Sequence, residues 1–336
     1  MSLIFVVGSG RSGTTLLARI LGGNTQAFAF SELHFFEEVS DANELSGALT
    51  PDQTLSLLAR LLATHEGGYL NRPNPDDYRE KALMLSQSLP EDETHTPASI
   101  FRNFLLGIAQ RHGANFAIEQ TPRNMFYAKE ILELYPDAKI IEMTRDPRDV
   151  LASLKHKWRR GYLAKGNYPI FAAVRAWANY HAMVAANLWV ANARCGEGLV
   201  TEPRFKRVRY EDLVQSPDAT ITDVCSFLGL AYEADMLKVQ HRGSSALKDS
   251  RNTGVAAGSV GSWENGRLNH AEIWICEKIA RQWMQKMDYE PVDLRMPYIG
   301  IAWSLLTLPI KVMFAVALNM GRVRSARDFI KRRMAR

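Results

Sequence analysis

A set of glycines placed directly after an apolar run constrains this chain more than any other feature. Leu3 to Val7 is unbroken in its apolar character, the mark of a strand buried on both faces of a parallel sheet. Gly8, Gly10 and Gly13 then impose a turn, and Leu16-Leu-Ala-Arg-Ile-Leu21 continues at helical spacing. Strand, glycine-rich turn and helix N-terminus in this order make an anion cradle. Backbone N–H groups point inward there, and the helix dipole favours negative charge.

The spacing Gly8-x-x-x-x-Gly13-x-Thr15 is that of a nucleotide-phosphate loop with one departure. Thr14 takes the position where lysine is usual, and the cation has moved to Arg11. A P-loop kinase or NTPase needs that lysine across its β- and γ-phosphates, and a carboxylate ending an apolar strand to hold magnesium. Here the fourth apolar run ends in Thr144-Arg145. A ligand with a 5′-phosphate and no γ-phosphate is served by backbone N–H groups, Arg11, Thr14 and Thr15.

With 336 residues, the chain has room for one large α/β domain or two smaller ones. Cys195, Cys225 and Cys276 are scattered, giving neither a disulfide framework nor a metal spacing, and they favour a reducing, cytoplasmic compartment. No signal peptide is expected ahead of Leu3, because no basic region precedes the first apolar run. The net charge of +5 is unevenly spread: residues 311–336 hold eight Lys or Arg against Asp328, a net of +7, which leaves −2 for the other 310. The basicity belongs to a tail, and a nucleic-acid-binding face is not indicated.

Five β-type runs are predicted, at Leu3–Val7, Ala27–Phe30, Phe116–Glu119, Lys139–Met143 and Phe205–Tyr210. Helical patterns between them predict an α/β fold of three layers, a central parallel sheet of about five strands with helices on both faces. Helices are expected from Pro122 to about Leu134, from Pro147, as one long element over Phe171–Arg194, and from Pro217 to Leu228. Residues 40–113 read as a helical insertion broken at Gly67–Asp77 and Ser86–Pro97, and 243–262 as a Gly/Ser-rich loop, mobile until a ligand arrives. A domain over 1–295 followed by a separate segment 296–336 is the expected division.

Ligands of parallel sheets sit beyond the C-terminal ends of the strands. Three polar clusters fall there: the glycine loop, Ser31-Glu32-Leu33-His34, and Thr144-Arg145-Asp146-Pro147-Arg148-Asp149 leading to Ser153. Arg148 and Asp149 read as a solvated ion pair at a helix start. Ser153 lies just over two helical turns from Arg145, so the two side chains can converge on one phosphate.

Gly10-Arg-Ser-Gly-Thr-Thr15, Glu119-Gln-Thr-Pro-Arg-Asn124, Thr144-Arg-Asp-Pro-Arg-Asp-Val-Leu-Ala-Ser153, Arg209-Tyr-Glu-Asp-Leu213 and the weaker Val260-Gly-Ser-Trp263 occur in this order. In these segments the chain resembles the sulfotransferases that use 3′-phosphoadenosine 5′-phosphosulfate (PAPS), whose fold is P-loop-like. The resemblance spans about residues 3–290. It implies that Gly10, Arg11, Ser12, Gly13, Thr14 and Thr15 hold the 5′-phosphosulfate, and that Arg145 and Ser153 hold the 3′-phosphate. Tyr210 and the loop carrying Ser259 and Gly261 would close over the nucleotide.

Glu32 follows a strand twenty-one residues after Arg11, where glutamate-dependent members place their base. A carboxylate within reach of an acceptor hydroxyl takes its proton as the bond to sulfur forms. Partial burial beside the Phe28, Phe30, Phe35 and Phe36 cluster would raise the carboxylate's pKa and make it a better base. His34 is the competing base, since other branches use histidine, and Arg11 would stabilise charge on the leaving oxygen. No metal is expected. Gln120 stands where many members carry lysine, and Ser262 where some have a basic residue; Arg123, Lys155 and Lys157 are the cations available to compensate.

Ile299 to Met320 contains one charge, Lys311, and one proline, Pro309, and would be roughly 33 Å long as a helix. The proline and the central lysine favour a broken amphipathic helix on an anionic membrane surface over a simple span; packing on the protein or on a second subunit stays open. The chain so read moves a sulfuryl group to a hydroxyl of a glycan, a lipid or a tyrosine near the inner face of a membrane, acceptor choice residing in 40–113. A non-catalytic membrane-bound adaptor with the same fold is the other alternative.

Overall fold

The computed structural model describes all residues except 39–44, 70, 72, 91–93, 159–169, 240–253, 256–258, 293 and 320–336. Most of the 243–262 loop and the basic tail therefore lie outside the described residues. Two compact units are present: the first holds 1–143, 198–239 and 253–255, the second 144–197, 240–252 and 256–336.

The first unit is built on a five-stranded parallel sheet. Its strands are β1 (Ser2–Gly8), β2 (Ala27–Ala29), β3 (Phe116–Glu119), β4 (Lys139–Thr144) and β5 (Phe205–Arg209), in the order β2-β3-β1-β4-β5. The α/β class and the strand number are those expected. β1 takes the centre because its side chains from Leu3 to Val7 are all buried. Each such side chain contributes about 1.5–3 kcal/mol by leaving water. Register sets Gly8 opposite Met143, and a Cβ on Gly8 would collide with the Met143 carbonyl. Glycine at the strand end is what lets the backbones approach so closely.

Helices α1 (Thr14–Leu21), α2 (Phe35–Glu38), α3 (Pro51–Gly67), α4 (Arg79–Ser86) and α5 (Pro97–Arg111) follow in the first unit. Thr50 and Thr96 close capping boxes at the starts of α3 and α5, each with proline in the first turn. The breaks at Gly67–Asp77 and Ser86–Pro97 fall between these helices. Phe35 stacks on Phe101 at 4.1 Å between centroids, which ties the segment after β2 to α5. A 3₁₀ turn over Pro122–Tyr127 precedes α6 (Ala128–Leu134), where one continuous helix was expected.

In the second unit α7 (Pro147–Lys155) starts where Asp146 accepts from the Arg148 N–H. The long helix expected over 171–194 is two, α8 (Ile170–Ala178) and α9 (Ala182–Glu197), separated at Asn179-Tyr180-His181. No glycine or proline marks that break. Tertiary bonds hold it instead: Tyr180 donates to Glu272 and His181 reaches the Ser304 carbonyl. The first unit adds α10 (Tyr210–Gln215) and α11 (Pro217–Leu228), the second α12 (His270–Lys286) and α13 (Tyr298–Asn319).

Candidate active site

The glycine loop has the conformation its sequence implies. Gly13 is the N-cap of α1 with φ +94°, and a Cβ there would come 2.5 Å from Tyr210 Cδ2. Tyr210, buried at the start of α10, thus backs the loop. Arg11 also lies in the left-handed region, at φ +79°, a conformation that costs a non-glycine residue about 1–3 kcal/mol and concentrates at ligand sites. The first turn of α1 carries no acidic side chain and no side-chain cap. The Ser12 hydroxyl is fully buried with no hydrogen-bond partner among the described residues. Gly10 faces open space. These donors and this room suit an anion.

A polar network joins the loop to the segment after β2. The Gln120 amide at the end of β3 donates to Thr14 Oγ1 and to Glu32 Oε1, both at 3.4 Å. Glu32 Oε2 lies 3.0 Å from His34 Nε2, and His34 Nδ1 lies 3.1 Å from Glu37 Oε2. Arg123 pairs with the other Glu37 oxygen at 3.1 Å. Beneath this layer Glu119, wholly buried, accepts from Thr121 and Asn124, and Thr121 Oγ1 accepts from the Leu33 and His34 N–H groups. His34 is held at φ +52° by these bonds.

Electrostatics separate the two bases that the sequence left in competition. Burial pulls the His34 pKa down, but hydrogen bonds to Glu32 and Glu37 outweigh it and push the value up to about 9. An imidazolium that donates from both ring nitrogens has no lone pair with which to accept a proton. Burial also raises Glu119 to about 7. Glu32 is half-buried. Its side chain is 43% exposed, while Phe30 packs on Phe28 and Phe104, and Phe35 and Phe36 pack on each other and on Phe101.

One stability prediction arises here. The proton on His34 is bound more tightly in the folded than in the unfolded chain. Its contribution is therefore full below about pH 6.5 and is lost as pH rises through about 9. With Glu32 partly in water, this amounts to about 1–3 kcal/mol. Thermal melts across this range are expected to fall for the native chain and to flatten in His34→Gln.

In the second unit, Arg145 and Ser153 are both buried, the first at the exit of β4 and the second in α7. Arg145 Nη2 donates to the Ser259 carbonyl, and Trp189 Nε1 donates to the Arg145 carbonyl at 2.9 Å. Arg148 and Asp149 are not a solvated pair. Arg148 is buried between Asp146 and Glu277 with its guanidinium 4.1 Å over Trp263. Asp149 accepts from the Gly261 N–H, the Ser262 hydroxyl and the Trp263 N–H, so it pins the loop that holds Ser259 and Gly261. Ser262, the departure from the basic residue of some relatives, serves this clasp. Of the cations expected to compensate, Arg123 is paired with Glu37 and Lys155 with Glu272.

Sequence reasoning missed Gln120, Glu37 and Glu119 as members of the site. Gln120 had registered only as a lost lysine. Glu37 was findable, since it stands one helical turn from His34.

A parallel sheet whose central strand runs through a glycine-rich, lysine-free loop into a helix N-terminus defines an α/β protein of P-loop-like fold. The sulfotransferase family model matches residues 3–234, and the chain belongs to that family. It is 25% identical over 197 residues to rat sulfotransferase 2A1, covering 54% of this chain and 66% of that protein. It is 29% identical over 161 residues to the omega-hydroxy-beta-dihydromenaquinone-9 sulfotransferase of Mycobacterium tuberculosis, covering 47% of this chain and 39% of that protein. The chain thus spans less than two thirds of the length of these relatives. The sulfotransferase domain of the Synechococcus PCC 7002 olefin synthase superposes with a TM-score of 0.51 at 20% identity, covering 88% of this chain and 96% of that domain.

Proposed function

We propose that this protein transfers a sulfuryl group from PAPS to a hydroxyl of a lipid, glycan or other membrane-proximal acceptor, with Glu32 as general base. One observation carries the reading: a single amide, that of Gln120, reaches both the phosphate loop and Glu32, so loop and base are one hydrogen-bonded assembly. The buried Ser12 hydroxyl, the uncapped start of α1 and the room at Gly10 fit the phosphosulfate end. Arg145 and Ser153 would hold the 3′-phosphate, with Ser259 and Gly261 in the loop over the nucleotide. Bound in this way, PAPS supplies an electrophilic sulfuryl group on a phosphate leaving group.

The chain's own residues do the rest. Glu32 takes the acceptor hydroxyl proton onto a carboxylate oxygen. His34, as a cation between Glu32 and Glu37, keeps that carboxylate aimed. Arg11 balances negative charge that grows on the leaving oxygen. A relative named for a hydroxylated dihydromenaquinone supports an apolar alcohol as acceptor. The scattered spacing of Cys195, Cys225 and Cys276 supports a reducing compartment.

The test is transfer of labelled sulfate from PAPS to a lipid and glycan extract of the native cells. One labelled product, formed equally well with a chelator present, is expected. Magnesium-dependent ATP binding with no response to 3′,5′-adenosine bisphosphate would point instead to a kinase or NTPase.

A further inference from the structure

The apolar segment after residue 297 folds as one helix, α13, and its two faces differ. Gly300, Ser304, Lys311, Ala315 and Asn319 share one side. Gly300 lies so close to Ala271 of α12 that a Cβ would sit 2.7 Å from the Ala271 methyl. The Ser304 carbonyl accepts from His181, Lys311 Nζ donates to the Trp177 carbonyl, and Asn319 bonds Asn179. This side is docked on the second unit along its whole length. The opposite side carries Ile299, Trp303, Leu306, Ile310 and Met313, spaced four, three, four and three apart, each between 51% and 88% exposed. Neighbouring α8 exposes Ile170, Phe171, Val174 and Trp177. So much apolar surface on two adjacent helices is unusual for a protein that faces only water.

We infer that α13, together with α8, lies in the plane of an anionic membrane surface and docks the second unit on it. Three observations choose this occupant. The docked side of α13 is held at Ser304, Lys311 and Asn319, so the helix is not free to cross a bilayer. Pro309 leaves the Leu305 carbonyl without its helical donor, a cost that hydrated headgroups remove and hydrocarbon does not. Directly after the helix, the sequence carries seven Lys or Arg against Asp328, complementary to anionic lipid. A cleft of about 340 Å³ beside α13 is lined by Trp158, Trp177 and Trp303 with Lys155 and Lys311, the residue types that favour the headgroup level. The inference stands on the second unit alone and does not depend on the reaction.

The experiment is flotation of the full chain with vesicles of phosphatidylcholine, with and without phosphatidylglycerol. Binding is expected to the anionic vesicles, weakened by salt and reversed by an alkaline carbonate wash. Trp303→Glu, Leu306→Glu and Ile310→Glu combined should lower the partition coefficient roughly a hundredfold. The melting temperature should stay the same, because these side chains are exposed. If that variant misfolds, Ile310→Gln with Met313→Gln gives the same reading with less perturbation. Equal binding to neutral vesicles, retention through the carbonate wash, or no binding by folded protein overturns the inference. So does a dimer in lipid-free buffer that the glutamates dissociate, because the face would then be covered by a second copy.

Discussion

Glu32→Gln is expected to lower sulfuryl-transfer turnover by about a thousandfold while affinity for 3′,5′-adenosine bisphosphate changes by less than about threefold. Glutamine keeps the shape of the side chain, and its carbonyl still accepts from Gln120, so the link to Thr14 and the phosphate loop survives. What disappears is the carboxylate to which the reaction assigns the acceptor's proton. His34 is a poor substitute: both ring nitrogens face carboxylates in the native chain, and Glu37 remains on Nδ1 in the variant. His34→Gln should therefore cost only about tenfold, through misalignment of Glu32. Single-turnover rates with labelled PAPS and titration calorimetry separate chemistry from binding. If His34→Gln proves the more damaging, the two roles are exchanged. If Glu32→Gln keeps more than about a tenth of turnover, Glu32 is not the base.

The parts of this site legible in sequence are those that chain geometry fixes locally. Leu3–Val7 declares a central strand, Gly8 and Gly13 declare the turn, and Pro147 and Pro217 declare helix starts, because each signal acts within a few residues. Glu32 was legible only through its place in a family pattern. Its partner Gln120 was not, because the two stand 88 residues apart in the chain. Arg148 and Asp149 show the same limit. Their spacing suits a wet helix start, and only the distant Trp263, Glu277 and Ser262 bury them. The break between α8 and α9 escaped for the same reason, being made by Glu272 and Ser304 rather than by any local breaker.

Arg145→Ala should weaken binding of 3′,5′-adenosine bisphosphate roughly a hundredfold or more, yet leave adenosine 5′-phosphosulfate, which lacks the 3′-phosphate, within about threefold. The guanidinium is buried, so its charge is little screened, and its loss would leave a bound 3′-phosphate without that partner. It has structural work as well, through the Ser259 carbonyl and Asp149 at 3.5 Å. Asp149, however, retains its donors from Gly261, Ser262 and Trp263, so the loop stays clasped and the fold persists at a cost of about 1–2 kcal/mol. Arg145→Lys restores the charge without the planar fork and should recover part of the lost affinity, to within about tenfold of native. The comparison of two nucleotides decides between the roles. A selective loss assigns the guanidinium to the 3′-phosphate, whereas an equal loss for both reduces Arg145 to a brace for the 259–263 loop and removes the distinction between PAPS and simpler 5′-nucleotides.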